Sequence, residues 1–418
     1  MKIKAKFLLF ILLPAILFFA ATITYVAIKA HSITQKNAEE LLVAHGTGLS
    51  YELESKMEKP LFAIEMIAST YEAFLNNGIV PEREHANLML QELLKDNPNL
   101  IAAWMHWEKN AFDGKDDQYK NKRGHDATGR FIPYWFQDEH GNFSVTPLVG
   151  TEEDEFIQNT LDYIFSTKES ILFEPYEYVV NGEMQLMTSI AVPVVVNDKV
   201  VGIVGADLLL SEIDERVSEL TFYESGFAGL ITNNGTVISH KDKELVGTNY
   251  FESKTMATHP DAERVIAAVK EGKNERIESF SNVLQTEVYH QFTPIRFGDI
   301  KAPWSAFLAA PKKEVMKEVN NLVLTIAIVS MIAAVLLALF ILYITNTFTR
   351  SIGFATQDAQ KMANGDFTSL QNDKDLARKD EIGILARAFY EINKNMSELI
   401  GKVKESTQKV TEAAVAID

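Results

Sequence analysis

The chain has 418 residues, with 40 lysines and arginines against 57 aspartates and glutamates, so its formal net charge is −17. At roughly 150 residues per domain, this length predicts two or three folded units. The acidic balance argues against nucleic-acid binding, because phosphates require a basic surface. Cysteine is absent from the sequence, which excludes disulfides, thiol catalysis, iron–sulfur clusters and cysteine-containing zinc sites.

An uncharged apolar run at residues 7–28 follows Lys2, Lys4 and Lys6 near the start of the chain. It is long enough to cross a bilayer core of ~30 Å. A cleaved signal peptide has a similar basic start, but its apolar core is usually about 7–15 residues long, and no small-x-small cleavage site follows here. We therefore predict a cytoplasmic N-terminus at 1–6 and an uncleaved transmembrane helix 1 at 7–28.

A second uncharged apolar run begins at Leu322 and predicts transmembrane helix 2 at 322–346. The N-terminal lysines orient their end of the chain toward the cytoplasm, so residues 29–321 are expected outside and the C-terminus inside. Most of the surplus acid lies in this outer segment. We interpret that acidity as a source of solubility and of repulsion from anionic membrane surfaces, in preference to cation capture.

The outer segment has the pattern of an α+β protein. Apolar residues spaced by threes and fours predict a long stalk helix over residues 30–76, in which Pro60 is a candidate kink. A second helix is predicted at 82–94. Strand-like runs then follow at 100–105, 170–180, 185–196, 199–208, 227–232, 236–240, 285–294 and 304–309.

Three stretches of this segment resemble a double Cache sensor domain: GFAGLITNNGTVISHKDKELVGTNY at 226–250, SIAVPVVVNDKVVGIVGADL at 189–208 and PWSAFLAAPKKEV at 303–315. The resemblance covers about 30–320 and rests on order and spacing. It implies two stacked Cache (PAS-like) α/β modules within 29–321, a distal one at about 80–215 and a proximal one at about 220–312. In that family small ligands usually bind the distal module.

The chemically richest segments of the predicted distal module are 126–143 and 173–189. An arginine can hold a carboxylate bidentately, and aromatic rings can face an ammonium group. This inventory fits a zwitterionic or carboxylate metabolite. The candidate ligand-binding residues are Arg130, Tyr134, Trp135, Glu174, Tyr176, Tyr178 and Asp207.

Packing and ligand binding remain alternatives for these residues. We favour a pocket for Arg130 and Trp135, hold Glu174 and the later tyrosines as even, and favour a local turn hydrogen bond for Asp207. Amino-acid-sensing Cache members carry an Arg, a Trp-Tyr pair and an Asp in this region. Here Tyr134-Trp135 is reversed and the family's Asp is not evident, so the resemblance leaves the ligand open.

The sequence contains no HExxH zinc motif, phosphate-binding Gly-rich loop with Lys-Ser/Thr, or GxSxG nucleophile elbow. We therefore expect no enzymatic activity, no cofactor and no metal site.

The region after the second apolar run predicts a helix, a break at 364–366, a polar connector and a second helix. That second helix has a 3-4 apolar repeat from Ile382 through Val403, which is typical of a coiled-coil seam. Residues 347–400 resemble a HAMP domain. The resemblance implies a parallel four-helix bundle built by two chains, with relay residues Gly365, Asp366, Asp380, Glu381, Ile382, Gly383 and Leu385.

One position departs from the HAMP pattern, because Ser351 stands where a proline is common. A serine can cap a helix, so we expect packing to be kept while a rigid bend is lost. An ordinary dimerising coiled coil without switching remains the alternative, but the position directly after a membrane span favours a relay.

The last segment, 401–418, resembles the start of the signalling helices of methyl-accepting chemotaxis proteins. It implies a homodimeric chemoreceptor of the bacterial inner membrane, with a periplasmic or extracellular sensor and a chemotaxis kinase and coupling protein as partners. The alternative is the sensor front end of a histidine kinase or cyclic-dinucleotide cyclase. The repeat reaches residue 418 without a capping or polar tail, so we expect a truncated chain whose signalling domain is missing.

Overall fold

The computed structural model describes residues 5–6, 8–138, 141–148, 154–180, 183–367 and 373–415. The chain forms two compact units: one joins Met1–Ala30 with Val319–Asp418, and the other is His31–Glu318. Helices and antiparallel sheets are both present, which confirms the predicted α+β class.

The described α-helices are labelled here in chain order. They are α1 (Leu13–Asn76), α2 (Arg83–Asp96), α3 (Glu155–Thr167), α4 (Leu210–Ser218), α5 (Ala262–Glu271), α6 (Lys312–Val315), α7 (Lys317–Ala363), α8 (Asp373–Leu376) and α9 (Glu381–Val415). A π-helical turn, Leu8–Leu12, precedes α1.

Among the described residues, two helices are long and apolar enough to cross a membrane, judged by length and composition: α1 with the turn before it, and α7. They contain residues 8–28 of the first apolar run and the whole of the second. In each case the run is part of a longer helix: α1 continues to Asn76 and α7 continues to Ala363. The predicted end of the stalk helix at residue 76 is confirmed, and the helix continues through the buried Pro60.

The later part of α1 forms a ridge that packs into the core of the His31–Glu318 unit. Its buried positions include Leu42, Leu49, Leu53 and Leu61, spaced by multiples of about 3.6 residues so that they share one face. The helix lies close to Thr293 at Gly46, where an added Cβ would be 2.4 Å from Thr293 Oγ1.

In the part of the chain that the structure describes, the first sheet has seven antiparallel strands. Their order is β3-β2-β1-β7-β6-β4, and β5 also pairs with β6. The strands are β1 (Leu100–Trp107), β2 (Pro133–Gln137), β3 (Phe143–Pro147), β4 (Ile171–Leu172), β5 (Tyr176–Val180), β6 (Glu183–Val196) and β7 (Lys199–Leu209).

The second sheet, within described residues 221–311, has six antiparallel strands in the order β10-β9-β13-β12-β11, and β8 pairs with β9. The strands are β8 (Thr221–Phe222), β9 (Gly226–Ile231), β10 (Val237–Ser239), β11 (Glu275–Ser281), β12 (Thr286–Ile295) and β13 (Trp304–Pro311).

The two faces of the first sheet belong to different cores, as β1 illustrates. Successive side chains on a strand point to opposite faces. Met105 and Trp107 therefore join the core that contains α1. Trp104 joins a separate cluster under α3, which contributes Ile157 and Leu161. The candidate site lies in this second cluster.

One predicted strand required correction, and several elements were not predicted, among them α5, β2 and β11. Residues 170–180 do not form one strand, because β4 ends at Leu172 and β5 begins at Tyr176. The helix α3 was not predicted. It begins where Asp154 accepts hydrogen bonds from the amides of Phe156 and Ile157, an N-cap that satisfies two otherwise unpaired helix donors.

Candidate functional site

The candidate site is built around Asp207, on the face of the first sheet that α3 covers. In the register of the sheet, Asp207 pairs with Ala102 of β1 and with Ser189 of β6. Trp104 lies two residues from Ala102 and therefore shares its face. Tyr134, on the neighbouring strand β2, pairs with Trp104. The pleat of four strands thus brings these side chains together.

The carboxylate of Asp207 accepts three side-chain hydrogen bonds. Trp104 Nε1 donates to Oδ1 at 2.7 Å, and Ser189 Oγ donates to the same oxygen at 2.6 Å. The hydroxyl of Tyr134 donates to Oδ2 at 2.8 Å. The hydroxyl of Tyr176 lies 2.6 Å from Ser189 Oγ and extends the network. A local turn hydrogen bond was the wrong expectation for Asp207, because its partners are on three other strands.

Asp207 is buried in the protein. Its exposed fraction is 1%. Burial raises the pKa of its carboxyl to about 6, and the three donors oppose that rise. Within the residues that the structure describes, no lysine or arginine forms a salt bridge with it. Burial also raises the pKa of the Tyr134 and Tyr176 phenols well above 10, so both remain neutral at physiological pH.

A cavity of about 20 Å³ lies beside the carboxylate. A single water needs about 10–15 Å³ on this measure, so the cavity holds little more than one water as it stands. A larger occupant requires its walls to separate. The walls are aromatic and aliphatic, formed by Trp104, Tyr134, Leu148, Ile157, Leu161, Phe173, Tyr176 and Tyr178.

Gly205 makes room for the tryptophan that contacts Asp207. It pairs with Trp104 across β1 and β7, and a Cβ at this position would lie 2.2 Å from the indole ring. A Cβ at Gly202 would likewise lie 2.6 Å from the Trp107 ring. The strand β7 therefore runs unbroken through both glycines, each covered by a cross-strand indole. A glycine inside a strand is typical of such a close approach.

A family model described as methyl-accepting chemotaxis protein-like, first PDC sensor domain, matches residues 87–215. That range contains every side chain that bonds to Asp207. Residues 87–215 are therefore similar to the first sensor domain of methyl-accepting chemotaxis proteins.

Curated relatives that match this chain are also methyl-accepting chemotaxis proteins. The methyl-accepting chemotaxis protein TlpQ of Pseudomonas aeruginosa is 25% identical over 248 residues, which cover 56% of this chain and 33% of TlpQ. McpC of Bacillus subtilis, also a methyl-accepting chemotaxis protein, is 26% identical over 243 residues, 58% of this chain and 33% of McpC. The chain spans about one third of the length of these relatives.

A solved structure shares the fold of the sensor. The extracellular domain of mmHK1S-Z3, assigned as a histidine kinase, superimposes with a TM-score of 0.57 and is 28% identical. The match covers 69% of this chain and 98% of that domain. The same sensor architecture is therefore also found on a protein assigned to a different output class.

Two of the residues predicted to line the pocket lie elsewhere in the sensor. Trp135 follows Tyr134 on β2 and so points to the opposite face, where its Nε1 donates to Asn87 Oδ1 at 3.0 Å. Arg130 lies in the loop before β2, and its Nε is 3.2 Å from Asp126 Oδ2. The predicted grouping of Arg130 and Trp135 around one cavity requires correction, whereas Tyr134, Tyr176 and Tyr178 do share it.

Glu174 also lies outside the cavity. Its Oε2 accepts hydrogen bonds from Thr232 Oγ1 at 2.7 Å and Thr236 Oγ1 at 2.8 Å, and its Oε1 accepts one from Asn234 Nδ2 at 3.1 Å. These three donors belong to the turn between β9 and β10 of the second sheet. Glu174 therefore links the two sheets, although its neighbour Phe173 lines the cavity.

The sequence interpretation missed Trp104 and Ser189. Trp104 lies in a predicted strand that was treated as ordinary core. The sequence does show Gly202 and Gly205 inside one predicted strand and Trp104 and Trp107 in or next to another, and glycines inside a strand permit close approach of a large side chain.

In the unit of Met1–Ala30 with Val319–Asp418, the predicted HAMP residues form local caps. Gly365 has φ +79° and donates from its amide to Met362 O at 3.0 Å, while the Asp366 amide donates to Lys361 O at 2.9 Å. This C-terminal cap ends α7. Asp380 Oδ1 accepts from the Gly383 amide at 3.0 Å at the start of α9, where Glu381 is the first helical residue.

The first turns of α9 face α7 across a small crevice. Ile382 and Leu385 of α9 and Phe354 of α7 line it. Ser351 was expected to act as a cap, but it lies inside α7, and its Oγ donates to Asp375 Oδ1 at 2.7 Å. The serine side chain thus contacts the segment between the two long helices.

Proposed function

We propose that the chain is the sensing and membrane-spanning part of a chemoreceptor, which recognises the ammonium group of a small ligand at Asp207. The observation that carries this proposal is a buried carboxylate with no cationic partner among the described residues, in a cavity walled by aromatic rings. Removing a carboxylate from water costs free energy that an incoming cation offsets.

An ammonium group can interact with this cavity in two ways, through hydrogen bonds and through aromatic faces. Its N–H groups can form charge-assisted hydrogen bonds with Asp207. The rings of Trp104, Tyr134 and Tyr178 supply electron-rich faces for the same positive charge. Amino acids and simple amines are the ligand classes with this group. A ligand recognised only by its carboxylate is less well supported, because Arg130 is engaged with Asp126 outside the cavity.

Signal transfer in this proposal depends on the closed cavity. A ligand larger than a water must separate α3 from the sheet or move the segment that carries Tyr176 and Tyr178. A ligand shifts the populations of two conformations only if it binds one of them more tightly than the other. We propose that residues 347–400 relay the change as a HAMP-type bundle in a homodimer, toward a chemotaxis kinase and its coupling protein. The sensor then lies outside a bacterial inner membrane.

The test is calorimetric titration of the full chain in lipid nanodiscs with paired ligands. Each pair is an amino acid or primary amine and the analogue that lacks its ammonium group. We expect at least one amine to bind and its partner not to bind. Arg130→Ala and Trp135→Ala are matched controls that should retain affinity within about twofold, because both side chains lie away from the cavity. Equal binding of both members of every pair would contradict the proposal.

A second candidate function is the sensory front end of a histidine kinase, favoured by the 28% identity to mmHK1S-Z3 across 98% of that domain. Both candidates share the ligand site and differ in the output domain of the parent protein. Transfer of phosphate from ATP to a histidine of the parent protein would support the kinase. Control of a separate kinase in a reconstituted chemotaxis array would support the chemoreceptor.

A further inference from the structure

The second sheet encloses a cavity much larger than the one at Asp207. Its volume is about 460 Å³, within the range of about 300–1,000 Å³ typical of small-molecule sites. It lies against β9, β12 and β13, on the side where the loop 240–255 covers the sheet. Its principal lining residues are Phe227, His240, Tyr250, Ser281, His290 and Phe307.

Three of these residues form aromatic walls. Phe227, Tyr250 and Phe307 are buried. The Tyr250 and Phe307 rings lie 5.0 Å apart between centroids at an angle of 31°, and Phe227 meets Phe307 edge-on at 6.3 Å. Such walls favour a flat ligand that can stack on one ring and meet the edge of another.

Two buried imidazoles supply the polar part of the cavity. His240 Nδ1 lies 2.9 Å from the Asp242 amide and 3.2 Å from the Asp242 carbonyl oxygen. Acceptance from the nearer amide places the proton of the neutral ring on Nε2. His290 Nδ1 lies 3.2 Å from Ser279 Oγ and 3.4 Å from the Tyr250 hydroxyl. Across the described residues, no hydrogen bond is made by Nε2 of His240.

The cavity is close to electrically neutral. Burial lowers the pKa of both imidazoles, that of His290 to about 3, so neither carries a charge at physiological pH. The charged residues of the lining are Asp242 and Lys254, one of each sign, and the Lys254 side chain is exposed at the mouth. A charged ligand would meet no buried counter-ion here, whereas an uncharged one needs none.

We propose that this cavity is a second ligand site, which binds a small, planar, uncharged heteroaromatic compound through a hydrogen bond from His240 Nε2. The ligand contributes one acceptor, such as an amide oxygen or ring nitrogen, and a flat ring for the walls of Phe227, Tyr250 and Phe307. This ligand is uncharged and so differs from the cationic ligand proposed for the Asp207 site. The sensor then has two ligand inputs, one on each sheet.

The test uses the full chain in lipid nanodiscs and nicotinamide as the probe. Nicotinate adds a negative charge to the same ring, and cyclohexanecarboxamide keeps the amide but loses the planar ring. We expect nicotinamide to bind, measured by saturation-transfer NMR and calorimetry, and both analogues to bind about tenfold or more weakly. Absence of nicotinamide binding, or equal binding of all three compounds, overturns the proposal.

Two variants locate the probe. His240→Phe keeps a ring of similar bulk and removes the Nε2 donor, so nicotinamide affinity should fall about tenfold. Thr255→Trp places a large side chain at a half-exposed lining position and should block entry of nicotinamide into the cavity. This variant tests the location of the site even if His240→Phe fails to fold. Asp198→Asn, at an exposed position that pairs with Lys168 and lies outside both cavities, is the matched control and should leave nicotinamide affinity unchanged. Binding that survives both cavity variants overturns the proposal.

Discussion

Glu174 accepts a hydrogen bond from Thr236, with 2.8 Å between Oε2 and Oγ1, and this contact joins the two sheets of the sensor. Thr232 and Asn234 of the same turn also donate to Glu174. Its chain neighbours Phe173 and Tyr176 line the Asp207 cavity. A change in that cavity therefore has a short physical route to the second sheet, through a carboxylate held by three donors.

Glu174→Gln should weaken this link without weakening ligand binding. An amide offers one acceptor oxygen where the carboxylate offers two, so at least one donor of the turn loses its partner. We expect amide hydrogen exchange at residues 232–236 to accelerate about tenfold, which corresponds to about 1.4 kcal/mol. Hydrogen-exchange mass spectrometry measures this effect.

The matched control for that variant is Glu177→Gln, an exposed position on β5. It should leave exchange in the turn as in the unsubstituted chain. If Glu174→Gln abolished ligand binding while the turn stayed protected, Glu174 would be a ligand contact and the link between the sheets would be unimportant.

Asp207→Asn should abolish recognition of amines. The substitution keeps the size of the side chain but removes the charge that pairs with the ammonium group. Charged hydrogen bonds of this kind contribute about 1.5–3 kcal/mol, so the Kd should rise about 10- to 150-fold. Titration calorimetry with the best amine of the paired screen checks this.

Asp198→Asn is the control for charge removal, because Asp198 lies on the same module with an exposed side chain that pairs with Lys168. The amine affinity of the Asp198→Asn variant should match that of the unsubstituted chain. Parallel losses in both variants would mean that net charge, and not the Asp207 site, governs binding.

Amine affinity should depend on pH through Asp207. Its pKa is raised from an ordinary value of 3.8 to about 6, so the carboxyl is largely protonated below pH 6 in the ligand-free sensor. An ammonium ligand binds the ionised form. Affinity should therefore rise about tenfold per pH unit up to about pH 6 and level off above it. The neighbouring Tyr134 and Tyr176 stay neutral throughout this range.

The same shift has the opposite consequence for the ligand-free fold. The folded chain holds the Asp207 proton more tightly than the unfolded chain, so this carboxyl contributes stability below about pH 4 that is lost as pH rises to about 6. The difference in unfolding free energy between the unsubstituted chain and Asp207→Asn isolates that contribution. A difference that grew in favour of the unsubstituted chain over this range would contradict the assigned sign.

Gly205→Ala should destabilise the sensor and disturb the ligand site together. The added Cβ would lie 2.2 Å from the Trp104 ring, which must move and carry its hydrogen bond away from Asp207. Overpacking of this kind costs about 1–3 kcal/mol. Urea denaturation measures the loss, and amine titration measures the site. Gly48→Ala is the control: nothing lies within 4 Å of its Cβ position in α1, so it should be neutral or stabilising by up to about 1 kcal/mol.

The proposed dimer can be tested by cross-linking, because the chain has no cysteine of its own. Met396→Cys introduces a thiol on the predicted seam of α9, and Lys394→Cys introduces one away from it. In a parallel bundle the two Met396→Cys thiols face each other, so mild oxidation should give mostly dimer for this variant and little for the control. Equal cross-linking at both positions would contradict the seam.

The sequence by itself determined the long stalk helix, the two apolar helices and several of the strands. The stalk helix ends at Asn76 as its apolar spacing predicts, and the strands at 185–196 and 199–208 match β6 and β7 within two residues. The two apolar runs lie in helices long enough to cross a membrane. These features depend on neighbours along the chain, so periodicity suffices to identify them.

Tertiary structure alone decided the site. Tyr134 and Trp135 are adjacent in sequence, yet the pleat sends them to opposite faces of the sheet. Asp207 became central because sheet order places β7 between β1 and β6, where Trp104 and Ser189 reach it. Strand order and register depend on contacts between residues about 20 to 100 positions apart, and no local pattern encodes which of those pairings has the lowest free energy.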